Sequence, residues 1–135
     1  MDALTFLEHE HRKLEALVSS GAHSDRIRHD VNEHLRLEEM IVYPALRDRV
    51  APDGSVGGDI LRAYEAHRTL EAALDAFDAS AHLGGDGARL DALKRALAQH
   101  VAIEESTVFT RARELLTPSE LDWLGMRLER SDASP

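Results

Sequence analysis

Apolar residues recur at alternating steps of three and four along four long segments of the chain, the period of an amphipathic α-helix. The stripe of the first segment consists of Leu4, Leu7, Leu14 and Val18. Four core helices are predicted: roughly Asp2 to Ser19, from a cap at Ser24 or Asp25 to before Ala51, from a cap at Asp59 to before Gly84, and roughly Ala88 to Leu116.

The breaks between these segments carry turn-forming residues, and a fifth element follows the last of them. Thr117-Pro118-Ser119-Glu120 has the form of a capping box with proline at the first helical position. It predicts a short fifth helix with Trp123 and Met126, followed by a frayed tail from Ser131 to Pro135. Because short connections join antiparallel neighbours, we expect an all-α, up-down-up-down four-helix bundle with a short C-terminal fifth helix, a single domain over 1–135.

An internal repeat links the two halves of the predicted bundle. The segment from His11 to Leu17 in the first helix matches the segment from His67 to Ala73 in the third. The segment from His34 to Glu39 in the second helix likewise matches the one from His100 to Glu105 in the fourth. The halves therefore resemble two copies of one helical hairpin, related by a pseudo-twofold axis.

Composition narrows the chemistry that such a bundle performs. The 135 residues include 25 acidic and 16 basic side chains, a net charge of −9 that argues against nucleic acid and anionic membranes as partners. No apolar stretch reaches the length of a membrane span and no signal segment opens the chain, so we expect a soluble, cytoplasmic protein. With eight histidines and no cysteine, any metal must be held by nitrogen and oxygen.

Four histidines fall inside the apolar stripes, one on each helix, and three of them precede a glutamate by four residues. Residues i and i+4 lie about 40° apart around a helix, so the glutamates are expected to face the core as well. The predicted inward polar set is His11, His34, Glu38, His67, Glu71, His100 and Glu104.

Seven buried polar groups without compensation would consume most of the roughly 5–15 kcal/mol that stabilises a domain. Metal ions compensate such groups, and seven ligands suit two ions bridged by carboxylates. Two other interpretations stay open: the pairs are hydrogen-bonded core histidines, or the chain is a helical bundle with fortuitous polar pairs in its core.

The remaining polar residues are assigned other places. Glu39 and Glu105 are expected at the surface or behind the ligands, and Glu15 is left open. Tyr43 and Tyr64 are candidate hydrogen-bond or redox partners of the centre, although core packing is the commoner role for tyrosine. No catalytic residue is assigned. The histidines expected in solvent are His9, His23, His29 and His82.

The motifs, in order, are Leu7-x-x-Glu10-His11-x-x-Leu14, His34-x-x-x-Glu38-Glu39, Glu65-Ala66-His67-Arg68 and His100-x-x-x-Glu104-Glu105. From about Leu4 to Leu116 the chain thus resembles the hemerythrin-like family, the hemerythrin HHE cation-binding domain. The resemblance implies a four-helix bundle around two non-haem iron ions, bridged by carboxylates and an oxo or hydroxo group. Manganese or zinc would accept similar ligands.

The resemblance also implies a ligand assignment. Glu38 and Glu104 would bridge the metals, His11 and His34 would serve one ion, and the other ion would be held by His67, Glu71 and His100.

This chain also departs from the family pattern. In the oxygen-carrying hemerythrins that this family resembles, the third helix has the pattern His-x-x-x-His and the fourth has His-x-x-x-x-Asp. In this chain a glutamate instead follows His67 and His100 by four residues. The added carboxylate favours ferric iron, so redox turnover is expected rather than reversible oxygen transport. Pro44 frees the carbonyl of Met40, and Thr110 takes its place in the second half, so the surroundings of the site need not be symmetric.

The expected function is a di-iron protein that handles oxygen, hydrogen peroxide or nitric oxide, with catalase-like decomposition of peroxide as the first enzymatic hypothesis. The alternative is an iron- or oxygen-responsive binding or sensing module without turnover, for which Trp123 and the fifth helix offer a partner surface.

Overall fold

The computed structural model describes residues 1–49, 55–81 and 87–132, and over these ranges the chain is all-helical, with no strand. Two π-helical segments each continue directly from one α-helix into the next. The elements are α1 Ala3–Ser19, α2 Ser24–Leu37, the first π segment Glu38–Val42, α3 Tyr43–Arg47, α4 Ser55–Ala81, α5 Gly87–Ile103, the second π segment Glu104–Val108, α6 Phe109–Leu115 and α7 Pro118–Asp132.

Side chains cap three of these helices. Asp2 accepts a hydrogen bond from the Thr5 backbone N–H at 2.8 Å at the start of α1. At the start of α2 the cap is His23, whose Nδ1 accepts from a backbone N–H at 3.2 Å, so the predicted caps Ser24 and Asp25 were wrong. The capping box before α7 is confirmed, because Thr117 and Glu120 exchange reciprocal bonds of 3.0 and 3.1 Å.

Two other predicted boundaries were wrong. Helix α4 begins at Ser55, before the predicted cap Asp59. Asp59 lies inside the helix, buried, where it accepts from Arg111 Nε at 2.8 Å and also contacts the Arg62 guanidinium, so its carboxylate is not available as a cap. Helix α7 continues through Asp132, although fraying was expected from Ser131.

Some predicted features lie outside the described residues. They are the turns at 51–54 and 84–86, His82 and the last three residues of the tail.

Two apolar clusters fill the interior. One cluster joins α1, the end of α2, both π segments, α3, α4, α6 and α7, and includes Leu7 and Leu37. The other joins α1, α2, α4 and α5, and includes Leu14 and Leu70. Because His11 lies between Leu7 and Leu14 on α1, a polar layer at its level separates the two clusters.

Helix α7 packs closely against the beginning of the chain. Gly125 faces this contact, and a Cβ at that position would collide with the backbone of Met1 and would lie 2.7 Å from the carbonyl carbon of Asp2. The amino group of Met1 also pairs with Glu129 at 3.2 Å. Over the residues that are described, no helix is both long and apolar enough to cross a membrane.

The two π segments bring residues five apart in the chain to the same side. In an α-helix such residues lie about 140° apart, whereas Glu38 and Tyr43 are both buried, as are Glu104 and Phe109. A π segment forms in both halves, although proline follows the first segment (Pro44) and threonine stands at the equivalent position after the second (Thr110). The backbone at the site is therefore more symmetric than the sequence predicts.

Candidate metal centre

Four helices each contribute one histidine to the polar layer. These imidazoles are buried, with exposed fractions of 1% or less, as the stripes predicted. Glu38 and Glu104, the first residues of the two π segments, are buried to the same extent. The six residues of this cluster, called the His/Glu cluster below, are His11, His34, Glu38, His67, His100 and Glu104.

Glu38 lies at the middle of the His/Glu cluster. Its Oε1 is 3.0 Å from His67 Nε2, 3.3 Å from His34 Nε2 and 3.5 Å from His100 Nε2. Its Oε2 lies 3.8 Å from His11 Nε2. One carboxylate therefore faces imidazoles from all four helices, with its two oxygens toward different partners.

Glu104 approaches the cluster from the opposite half of the chain. Its Oε1 lies 3.1 Å from His11 Nε2. In all, one ligand-type atom from each of five residues lies within 4.8 Å of the others, and these residues are His11, His34, Glu38, His100 and Glu104. His67 joins them through its 3.0 Å contact with Glu38.

Several of these close contacts are not hydrogen bonds. Among the described residues, the buried atoms without a hydrogen-bond partner include four at the middle of the His/Glu cluster: Nε2 of His11, both oxygens of Glu38 and Oε1 of Glu104. Nitrogen and oxygen atoms that converge without hydrogen-bond geometry are aimed at shared space rather than at each other, and a cation in that space would satisfy all of them. The cluster thus fits a metal by its donor chemistry and by its unsatisfied atoms.

The protonation states agree with this interpretation. Burial opposes ionisation of Glu38, but the close approach of His34, His100 and the other imidazoles outweighs it and holds the pKa of Glu38 well below its ordinary value. Burial lowers the pKa of His100 to about 3, which leaves a neutral imidazole whose Nε2 lies 3.3 Å from His34 Nε2. An ionised carboxylate and a neutral imidazole are the forms that bind metals.

Two other imidazoles behave differently. Burial disfavours their charge, but Glu38 raises the pKa of both His11 and His34, and outer carboxylates add to this effect. Because each binds a proton that a cation would displace, metal binding at these positions would release protons.

A second layer of carboxylates holds two of the imidazoles from behind, and a further carboxylate lies near a third imidazole without bonding it. Oε2 of Glu105 lies 2.7 Å from His11 Nδ1, and Oε1 of Glu10 lies 3.1 Å from His34 Nδ1. Oε2 of Glu39 lies 3.6 Å from Nδ1 of the third imidazole, that of His67. Such partners orient a ligand ring and point its other nitrogen inward.

These contacts bear on the predictions for the second layer. Glu39 and Glu105 were expected at the surface or behind the ligands, and Glu105 stands behind His11, whereas Glu39 is half-exposed and makes no hydrogen bond to His67. The role of Glu10 was missed because it reaches from α1 across to α2. The repeat places Ala66 at the position equivalent to Glu10, and no described carboxylate pairs with Nδ1 of His100. The second layer is therefore asymmetric.

Tyr43 adds a seventh buried polar group to the layer. Its hydroxyl donates to Glu104 Oε2 at 2.5 Å and lies 3.0 Å from His67 Nε2. Burial, followed by the charge of Glu38, raises the pKa of Tyr43 well above its ordinary value, so the phenol keeps its proton. Tyr64 is half-buried and packs edge-on against Tyr43, with ring centroids 5.2 Å apart.

Comparison with known proteins bears on this cluster. A family model described as the hemerythrin HHE cation-binding domain matches residues 2–112. The chain belongs to this family. Searches of curated proteins and of solved structures found no match. The matched residues of the HHE domain include all of the His/Glu cluster and Tyr43, whereas α7 lies beyond them.

One predicted inward residue of this HHE domain points elsewhere. Glu71 is exposed, so the prediction that it faces the core with His67 was wrong. On α4 the buried residues Ala63, Ala66 and Leu70 lie on the side of His67 away from Glu71. The 40° offset of an i+4 residue therefore carries Glu71 toward solvent.

Helices α2 and α5, which carry His34 and His100, turn the opposite side toward the core of the HHE domain. Buried Leu35 follows His34 and buried Val101 follows His100, on the same side of the helix as the glutamate four residues on. In α1 and α4 the residue after the histidine is instead exposed Arg12 or Arg68. This difference in the sequence was a usable signal for the orientation of each glutamate.

The other open residues of the HHE domain lie outside the His/Glu cluster. Glu15 is half-exposed and contacts Arg12 Nε at 2.8 Å, as the exposed position of its counterpart Glu71 would suggest. Three histidines expected in solvent are exposed, and they are His9, His23 and His29.

Proposed function

We propose that this chain is a non-haem di-iron protein whose centre handles oxygen, hydrogen peroxide or nitric oxide. The observation that carries the proposal is the set of buried atoms without hydrogen-bond partners on His11, Glu38 and Glu104. Each such atom costs about 1–3 kcal/mol unless something binds it. Membership of a cation-binding family supports a metal as that partner.

Two ions are proposed rather than one, with Glu38 and Glu104 as bridging ligands. The two oxygens of Glu38 face different imidazoles, which favours a bridging role. The four imidazoles and two carboxylates together offer more donor atoms than the six positions of one octahedral ion, and iron, manganese and zinc all accept such donors. We further propose that the four long helices form an up-down-up-down bundle in a single domain, as ligand sets on facing helices require.

Bound iron would supply a change of oxidation state and a coordination position for a small ligand. The chain supplies the surroundings. Apolar clusters that contain Leu7 and Leu70 flank the polar layer on its two sides and limit water to the polar paths. The Tyr43 phenol holds a proton between Glu104 and His67, within reach of a ligand bound there. Catalase-like turnover of peroxide is the first enzymatic candidate.

The test is to expose anaerobically iron-loaded protein separately to oxygen, peroxide and nitric oxide while recording optical spectra, and to measure oxygen release from peroxide. We expect a spectral response to at least one ligand that Glu38→Gln protein and free iron at equal concentration do not give. No response beyond free iron to any of the three would refute the proposed function.

The second candidate function is that of a sensing module, which the exposed apolar residues of α7 favour. This helix lies beyond the matched family residues and exposes 55% of Trp123 and 41% of Met126. If metal occupancy controls this surface, hydrogen exchange in α7 should differ between metal-free and loaded protein. Unchanged protection of α7 would speak against sensing.

A further inference from the structure

A polar groove of about 910 Å³ runs between α1 and α2 and is also lined by the last described residues of α7. His34 lines this groove although only 1% of the residue is exposed. A smaller cavity of about 160 Å³ beside Trp123 touches no residue of the His/Glu cluster. The larger groove therefore connects solvent with the buried polar layer.

Glu10 stands where the groove meets the His/Glu cluster. Its carboxylate lines the groove and lies 3.1 Å from His34 Nδ1. At the opposite edge of the same imidazole ring, His34 Nε2 is 3.3 Å from Glu38 Oε1. A cation held at Glu10 would thus be separated from the central carboxylate by one imidazole ring.

The charges around the groove favour a cation. Four carboxylates, three Lys or Arg side chains and two histidines line it. Two of the three Lys or Arg side chains already face a carboxylate: Arg36 is bonded to Glu33, and Arg26 lies 3.8 Å from Asp30.

The other two carboxylates are Glu10, which contacts His34 Nδ1, and Asp132, and the third basic group is Lys13. Burial and then the facing carboxylates of Glu10, Glu33 and Asp30 raise the pKa of Asp132, against the opposing effect of Lys13. The facing carboxylates thus outweigh Lys13 at Asp132, and the surroundings of Asp132 favour a positive charge.

We propose that this groove is the route by which a divalent cation enters the protein, with Asp132 at the rim and Glu10 as the carboxylate that delivers the ion to the His34 side of the His/Glu cluster. The proposal rests on the metal centre proposed above. It predicts that charges in the groove govern the rate of metal loading and leave the equilibrium affinity nearly unchanged.

The test is stopped-flow binding of Co²⁺ to the metal-free full chain, in the range where the rate rises linearly with Co²⁺, with affinity measured by chelator competition. Asp132→Lys should slow loading about threefold to tenfold at low salt, and Lys13→Glu should accelerate it by a similar factor. Asp122→Lys on α7 and Lys94→Glu on α5 are matched controls with the same charge changes at exposed positions outside the groove.

The outcomes separate the two proposals. Opposite rate changes for the two groove variants, which shrink with added salt while the controls match the wild type, would support the route. Equal loading rates in all five proteins, with affinity retained, would overturn the route and leave the metal centre standing. Failure of the wild-type chain to bind Co²⁺, Fe²⁺ or Zn²⁺ at equilibrium would overturn the metal centre and the route with it.

Discussion

Metal binding should stabilise this protein strongly, because its unsatisfied atoms gain partners only when a cation is bound. Four buried atoms on His11, Glu38 and Glu104 lack hydrogen-bond partners, and about 1–3 kcal/mol for each gives roughly 4–12 kcal/mol to be recovered. A free metal concentration about a thousandfold above Kd yields roughly 4 kcal/mol. For a domain of 135 residues this corresponds to a rise in Tm of at least about 12 °C.

The assay is thermal unfolding followed by circular dichroism, with Zn²⁺ and anaerobic Fe²⁺ as ligands. Glu38→Gln and Glu71→Gln form a matched pair, because each glutamate follows a histidine by four residues but only Glu38 is buried. Glu71→Gln should keep the full rise in Tm, and Glu38→Gln should lose most of it. If metal changes the Tm of the wild-type protein by less than about 2 °C, which is less than about 1 kcal/mol, metal binding does not stabilise the protein as expected. A full rise in the Tm of the Glu38→Gln protein would equally contradict the role of Glu38.

Three further results are expected. Tyr43→Phe should lower the unfolding free energy of metal-free protein in urea by about 1–3 kcal/mol, because Glu104 loses a buried donor; no change would contradict this role. Metal-free protein should lose stability as pH falls from 6.5 toward 3, because His100 takes up a proton in the unfolded chain but not in the folded one; a His100→Gln variant should lose less, and equal pH profiles would disprove this. Glu105→Gln should weaken metal affinity about 10- to 100-fold in chelator competition, and an unchanged Kd would exclude its positioning role.

The helices and the four buried histidines were predictable from the sequence because they follow from the period of the apolar stripes. His11 and His34 lie inside their stripes, and burial follows from that position alone. The position of Glu71 was not predictable from the i+4 spacing, because the 40° offset leads to the core on one helix and to solvent on another. The residue after each histidine, apolar Leu35 or charged Arg68, distinguishes the two cases.

The π segments could not be predicted from a helical period of 3.6 residues. Such a period places Tyr43 about 140° from Glu38, yet both are buried because the wider turn adds one residue between them. For the same reason Thr107, which a period of 3.6 residues places on the side of Leu93 and Leu97, is only half-buried, whereas Val108 is in the core. Contacts between helices, such as that of Glu10 with His34, also require the assembled fold.

The most direct test of the central claim is the metal content of the full chain after anaerobic loading with Fe²⁺ and removal of unbound metal, measured by elemental analysis. The account predicts two iron ions per chain in the wild-type protein and a clear loss in Glu38→Gln protein. A wild-type chain that is folded by circular dichroism yet retains no iron, manganese or zinc would contradict it.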